Sequence, residues 1–369
     1  MELKVEPLKE LRVLYVPTEE GEERQVGIRR PLANLRSAGL LAATSVFSLR
    51  QRIERHGDAE RQRQDLVEHV AAFRPTVVIA QHLGGTGLTD AHFTAMRSRG
   101  QFRFIYQEGD PYRRPLHPLP SEARAAGRAA DVVFTIGAGD FIQNFRRAGA
   151  RDPRFAPWAF EAERFPLVPP DSAPERRHDV VVVANRNRPR WRGHPDWRRR
   201  IEFVTLLQKR LGDRVAVYGR NWTGAGAMGP VPFSQQASAV RDGWVSANWD
   251  HYASEPKYFS NRLPTQLALG TVHATTRHPG YDEFFPADAG DYLLLADEPA
   301  QLVDRIEQYL GSTTPEQRIA ASVRAQAYAF EHLRQDDQLV EFFNAVGAGI
   351  DPDAAHAAWN LDEVPLDEI

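Results

Sequence analysis

The chain contains no cysteine. That excludes disulfides, thiolate nucleophiles and cysteine-based zinc sites, and it fits a reducing compartment. Long apolar runs are missing too. The longest, such as Val180 to Ala184, are strand-sized, far short of the roughly 20 residues that a membrane helix needs. The N-terminal residues lack the basic and apolar regions of a signal peptide, so the expected location is the cytoplasm. No charge sign dominates: 46 basic and 49 acidic residues leave a formal charge of −3, which implies no global preference for nucleic acid or membrane. No G-x-G-x-x-G follows a strand, because the first strand leads into Thr18, Glu19 and Glu20; this excludes the dinucleotide fingerprint. The twelve histidines form no metal-ligand pattern. His273 and His278 are close in sequence but lack the carboxylate spacing of zinc or iron sites, and Asp351 and Asp353 match D-x-D only in the tail. No metal site is expected.

What is present is the composition of an ordinary globular protein, 42% hydrophobic and 26% charged over 369 residues, with room for two domains. Strands are expected at Leu11–Pro17, Ala43–Phe47, Thr76–Gln81, Phe102–Gln107 and Val132–Ile136. Helices fall near Arg29–Ala38, over Asp58–Phe73 and from Asp140. Such alternation argues for parallel sheets covered on both faces, because parallel strands need helical crossovers. It fails between Phe155 and Arg177, where Pro and polar residues suggest a linker. It then resumes with a strand at Asp179–Ala184, a helix at Trp197–Leu211, and strands at Val215–Tyr218 and Val245–Trp249. The expected organisation is an N-terminal domain over 1–160, a linker over 161–177, a second domain over 178–325, and a terminal helix with an acidic tail over 326–369. After Pro315, Ile319, Val323, Ala327, Phe330 and Leu333 recur at helical spacing. From Asp351 onward there are six acids and no Lys or Arg, with Trp359 and Leu361 as residues able to dock.

Ligands of open α/β sheets bind beyond the carboxyl ends of strands, so the loops after strands are the places to search. In the stretch from Glu255 to Phe285, Ser260 and Asn261 are N-cap residues before an apolar run that stops at Gly270. Arg262 lies in the first turn, where unpaired N–H groups and the helix dipole favour phosphate. Thr271–Thr276 reads as a strand, followed by a loop with Asp282 and Glu283 that opens another helix. Asn185 to Arg200 carries seven arginines. Arg186, Arg188, Arg190 and Arg192 have planar forks that suit bidentate, charge-assisted hydrogen bonds to an anion. A solvated basic face, or nucleic-acid contact with Trp191 and Trp197 as stacking platforms, fits the same residues. Gly219, Arg220 and Trp222 follow the next strand, where glycine permits close backbone approach. In the first half, QHLGGTG and QEGDPYRR follow strands. Asp110 is the first choice to orient a hydroxyl or accept its proton, with Glu108 and His82 behind it; an Asp before Pro is also a common turn residue.

The order and spacing of Arg262, Leu267-Ala-Leu-Gly270 and the Pro279-Gly-Tyr-Asp-Glu-Phe-Phe285 loop resemble the donor half of two-domain (GT-B) glycosyltransferases of the group 1 and CgeB-like type. The YGRNW and EGDP segments and the PWAFEAERFP linker resemble the same group. The resemblance implies an α/β fold of two Rossmann-like domains facing across a cleft, with a C-terminal helix crossing back to the first. It implies a hexosyl- or pentosyltransferase that moves a sugar from a nucleotide-diphosphate sugar to an acceptor hydroxyl, retaining and metal-independent, with no cofactor. Donor contacts would come from Arg186, Arg188, Arg192, Gly219, Arg220, Trp222, Ser260, Asn261, Arg262, Asp282 and Glu283. The catalytic or acceptor side would be Asp110, Glu108 and His82. The E-x7-E motif of many such enzymes is absent, Lys257 and Thr265 standing in its positions; Glu255, Asp282 and Glu283 are possible substitutes. The acceptor is left open among small molecule, glycan, protein and modified DNA. Further readings are a glycosyltransferase for a hydroxylated DNA base, a non-catalytic nucleotide-sugar or glycan-binding protein, and a sugar-nucleotide epimerase.

Overall fold

The computed structural model describes residues 10–22, 24–112, 117–170, 176–187 and 194–359. The chain divides into two compact units, Met1–Pro157 with Gln335–Ile369, and Trp158–Arg334.

In unit 1 the elements run β1 (Arg12–Val16), α1 (Val26–Ser37), β2 (Ala43–Val46), α2 (Leu49–His56), α3 (Ala59–Phe73), β3 (Val77–Gln81), α4 (Asp90–Arg99), β4 (Arg103–Glu108), α5 (Ser121–Ala129), β5 (Val132–Thr135), α6 (Asp140–Arg147) and β6 (Pro153–Phe155). The sheet is parallel with order β2-β1-β3-β4-β5-β6. Its central strands are buried along nearly their whole length rather than at alternate residues, as expected when helices cover both faces. The chain leaves β1 toward β2 on one side and returns to β3 on the other. The order therefore reverses between β1 and β3, the kind of point beyond which open α/β sheets bind ligands.

Unit 2 repeats the scheme with β7 (His178–Val183), α7 (Trp197–Leu211), β8 (Val215–Tyr218), β9 (Ala227–Gly229), α8 (Gln236–Arg241), β10 (Gly243–Ala247), α9 (Arg262–Ala268), β11 (Val272–Thr276), β12 (Leu293–Ala296), α10 (Pro299–Ser312) and α11 (Pro315–His332). Its parallel sheet has the order β12-β11-β10-β7-β8-β9, the Rossmann order, with the reversal between β7 and β10. Val180, Val182, Val217, Val245, Val272 and Ala274 sit in one core with Leu207, Leu263 and Leu302 from the covering helices.

Helix α11 starts at a capping box. Thr314 Oγ1 accepts from the Gln317 N–H at 3.3 Å and Gln317 Oε1 accepts from the Thr314 N–H at 2.8 Å, with Pro315 at the first helical position. Thr314→Ala should cost about 1 kcal/mol, read as a lower urea midpoint at unchanged slope.

The single helix expected after Pro315 is two. At Leu333 the backbone leaves the helical region, because the Leu333 carbonyl accepts from Phe160 N–H at 2.9 Å and Arg334 bridges to Phe160. The chain restarts as α12 (Gln335–Ala345) and α13 (Pro352–Ala358), which belong to unit 1. There Leu339, Phe342 and Phe343 join Val13, Tyr15, Leu32 and Ile105 in one core, and Phe342 stacks on Phe134 with centroids 4.1 Å apart. Trp359 donates its indole N–H to Asp337 Oδ1 at 2.9 Å; Leu361 lies outside the described residues. Among those residues no helix is long and apolar enough to cross a membrane.

Candidate functional site

In unit 2 a buried polar cluster occupies the carboxyl ends of β7, β10 and β11. Its centre is Asp250, three residues past β10 and 1% exposed. Oδ1 of Asp250 accepts from Asn248 Nδ2 at 2.6 Å, Oδ2 accepts from Thr275 Oγ1 at 3.5 Å, and His278 Nε2 lies 3.3 Å from the same oxygen. Burial alone would raise the Asp250 pKa; the His278 hydrogen bond and charge, with the Arg200 charge, outweigh it and lower it.

Two guanidinium groups share this end of the sheet. Arg200, on α7 and 6% exposed, donates Nε–H to the Trp249 carbonyl at 2.8 Å. Arg262, opening α9, donates Nε–H to the Val183 carbonyl at 2.7 Å, at the last residue of β7. The bond to Val183 ties α9 to the point where the strand order reverses. No Nη atom of either residue has an acceptor among the described residues. Burial lowers the Arg200 pKa to about 9, and the Arg262 charge adds to the effect. Burial likewise lowers the Arg262 pKa, opposed by Asp250. Beside them His251, 7% exposed, has an Nε2 with no hydrogen-bond partner among the described residues. Burial first, then Arg200, His194 and Arg262, push its pKa far down and keep the ring neutral. Two confined cations and a neutral imidazole make this end of the sheet locally positive, chemistry that suits an anion.

The other expected donor residues divide. Ser260 is buried but caps nothing with its side chain. Its Oγ accepts from Asn248 Nδ2 at 3.4 Å, while the Leu263 N–H is taken by the Ser260 carbonyl. Asn261 does not cap through its side chain either, because its backbone is already helical (φ −54°, ψ −15°). Helix α9 spans only seven residues, too short for its N-terminus to form an anion site by itself. Asp282 and Glu283 are exposed on a single 3-10 turn, Tyr281–Glu283, not at the start of a longer helix; Glu283 pairs with Lys257. Trp222 is 8% exposed and donates its indole N–H to the Ala184 carbonyl at 2.6 Å. Arg186 has its Cζ 5.8 Å from the Trp222 ring centroid, its N–H donates to the Arg220 carbonyl, and the Arg220 N–H donates to Asn185 Oδ1. Arg220 is exposed. Gly219, at φ +140°, lets the two loops touch: a Cβ there would stand 2.0 Å from the Ala184 carbonyl oxygen. Arg188, Arg190, Trp191 and Arg192 lie outside the described residues. Sequence reasoning missed Arg200, Asn248, Asp250 and His251. The signal for Asp250 was its place just after a strand; Arg200 was hidden among its six neighbouring arginines.

In unit 1, β3 and β4 run side by side with Gln81 opposite Gln107. That places the next residues, His82 and Glu108, together although no metal or catalytic pattern links them in sequence. His82 Nδ1 lies 2.6 Å from Glu108 Oε1, and Nε2 lies 3.3 Å from Asp110 Oδ2. Glu108 is fully buried; its Oε2 accepts from Tyr106 Oη at 2.5 Å, and its Oε1 also accepts from the Asp110 N–H at 3.1 Å. Asp110 is half exposed, so it and His82 are the members that solvent or substrate can meet. Burial lowers the His82 pKa, but Glu108 and Asp110 outweigh that effect and the opposing Arg50, and the net shift is upward. Arg50 donates to the His82 and Gly84 carbonyls and holds His82 at φ +43°.

Residues 184–336 match the model of a glycosyl transferase-like family. No curated protein sequence matches the chain significantly. Among solved structures, Anabaena HepE in complex with UDP and glucose aligns over 91% of this chain and all of its own, at 14% identity and a TM-score of 0.57. Sucrose-phosphate synthase from Thermosynechococcus elongatus aligns over 93% and 100% at 14% identity and 0.55. The lipopolysaccharide outer core galactosyltransferase WaaB does so over 91% and 99% at 10% identity and 0.54. The protein has an α/β fold of two Rossmann-like domains, the GT-B fold. More narrowly, it is the fold of the group 1 glycosyltransferases, and unit 2 carries the sequence pattern of the glycosyl transferase-like family.

Proposed function

We propose that the protein is a glycosyltransferase that takes a hexosyl or pentosyl group from a nucleotide-diphosphate sugar and passes it to an acceptor hydroxyl. The observation that carries this reading is the pair Arg200 and Arg262 at the strand-order reversal of unit 2, with Nη atoms that no described residue accepts from. A diphosphate supplies the missing acceptors. As the sugar leaves, negative charge grows on the bridging oxygen, and donors already in place stabilise it without reorganising. Two guanidiniums carry the charge that a divalent ion would otherwise carry, so donor binding is metal-independent in this reading. The UDP and UDP-glucose complexes of the structural neighbour HepE make uridine the first nucleotide to try.

The acceptor groups are assigned to unit 1. Asp110 and His82 meet the hydroxyl, and Glu108, having no exposed atom, acts only through the imidazole. Retention of configuration is carried over from the family resemblance.

The test is calorimetry with UDP, GDP, dTDP, ADP and CDP in a chelator. One diphosphate should bind 1:1, and at a hundred times its dissociation constant it should stabilise the fold by about 2.7 kcal/mol. Absence of binding by all five overturns the donor reading. Proton NMR of the first product formed then reports the anomeric configuration.

A further inference from the structure

We propose that His82 and Asp110 of unit 1 are ligands for a divalent transition-metal ion, with Glu108 fixing the imidazole from behind. Among the described residues, His82, Glu108 and Asp110 form a group whose ligand atoms all lie within 4.8 Å of one another.

The two distances on the imidazole differ in kind. At 2.6 Å, Nδ1 and Glu108 Oε1 make a short charge-assisted hydrogen bond. At 3.3 Å, Nε2 and Asp110 Oδ2 are too far apart for a bond of that strength. Two ligands each about 2.1 Å from a metal at the tetrahedral angle stand about 3.4 Å apart. The second distance matches the edge of such a coordination polyhedron. Glu108 completes the arrangement. With its carboxylate on Nδ1–H, the Nε2 lone pair is directed at the ion, the carboxylate–histidine–metal relation that fixes tautomer and ring orientation. Glu108 is itself held by Tyr106 Oη and the Asp110 N–H, so the ring is fixed from two residues' distance.

Charge favours a cation here. Among the described residues, Glu108 and Asp110 face one guanidinium, Arg50, which is itself paired with Glu20. One imidazole nitrogen with carboxylate oxygen selects zinc, cobalt or manganese over calcium or magnesium. Two protein ligands leave the remaining positions to water, an open site rather than a structural one. The site shares no residue with the guanidinium pair of unit 2, so the inference stands or falls independently of the donor reading; with the ion bound, an acceptor hydroxyl would meet its open positions rather than Nε2 and Asp110 directly.

The experiment is titration of the full-length, tag-free, chelator-treated chain with Zn²⁺ by calorimetry and with Co²⁺ by visible absorption, at pH 8. One ion should bind per chain, with cobalt bands of a low-coordinate site. His82→Ala and Asp110→Ala should each abolish binding, and Glu108→Gln should weaken it about 10- to 100-fold while keeping both ligands. Asp110 is half exposed, so its variant folds, which circular dichroism checks. No saturable binding up to about 1 mM, an affinity worth only about 4 kcal/mol, overturns the site and leaves a proton as the shared occupant of Nε2 and Asp110. Binding that survives both alanine variants places the ion elsewhere and overturns it equally. Nucleoside diphosphate affinity in chelator should be the same for Asp110→Ala and wild type.

Discussion

Arg200→Met should weaken binding of the nucleoside diphosphate about 30- to 1,000-fold while leaving the ligand-free protein within about 1 kcal/mol of wild-type stability. The binding loss follows from one fork. Hydrogen bonds from a charged donor to phosphate contribute about 1.5–3 kcal/mol each, and losing a bidentate contact removes about 2–4 kcal/mol net. The small stability change follows from cancellation. Removing the side chain costs the bond from Nε–H to the Trp249 carbonyl at 2.8 Å, but it also removes a buried cation that repels Arg262. Below a pH of about 9 Arg200 is charged in the fold, so at neutral pH its burial is a standing cost that a bound anion offsets. Arg200→Lys should recover only part of the affinity, because an ammonium supplies the charge without the planar fork. Calorimetry of the three proteins, with urea unfolding alongside, decides the matter. Undiminished affinity in Arg200→Met would falsify its place in the seat.

Gly219→Ala should destabilise unit 2 by at least about 3 kcal/mol. Two effects add. The residue sits at φ +140°, a conformation an L side chain rarely adopts, and its Cβ would stand 2.0 Å from the Ala184 carbonyl oxygen and 2.6 Å from its carbon. Neither is the end of a flexible side chain, so relief requires the loops after β7 and β8 to part. Parting them also strains the bond from Trp222 Nε1 to the Ala184 carbonyl. Urea unfolding followed by tryptophan fluorescence should show the lowered midpoint. An unchanged midpoint would mean that the loops move apart freely.

These two variants separate what glycine and arginine do at one end of the sheet. The expectation that glycines after β8 allow close backbone approach is met at Gly219, but the backbone that approaches is Ala184 of the same unit. The arginine-rich segment pointed to a basic grip. The sheet brings Arg200, which lay at the edge of that segment on a helix, next to Arg262 from α9. Ser260 matched a helix cap by residue type, yet Asn248 draws its hydroxyl inward to a polar cluster that no local pattern announces.

Local information in the sequence determined the elements and their class. Runs of β-branched residues such as Val180 to Val183, glycine stops such as Gly270 and helical apolar spacing are set by neighbours within a few residues, and together they specify two βα-repeating halves. The same information placed Arg262 after a strand-bounded loop and Asp110 in a turn. Strand order was decided only in three dimensions, and with it the company each side chain keeps. Packing β3 against β4 puts His82 on Glu108, and placing β7 beside β10 gathers Val183, Trp249, Arg200 and Arg262. The break at Leu333 belongs here too, since a hydrogen bond from Phe160 ends a helix that its own periodicity would continue. Pairing energies between distant segments choose these neighbours, and a periodicity read along the chain carries no term for them.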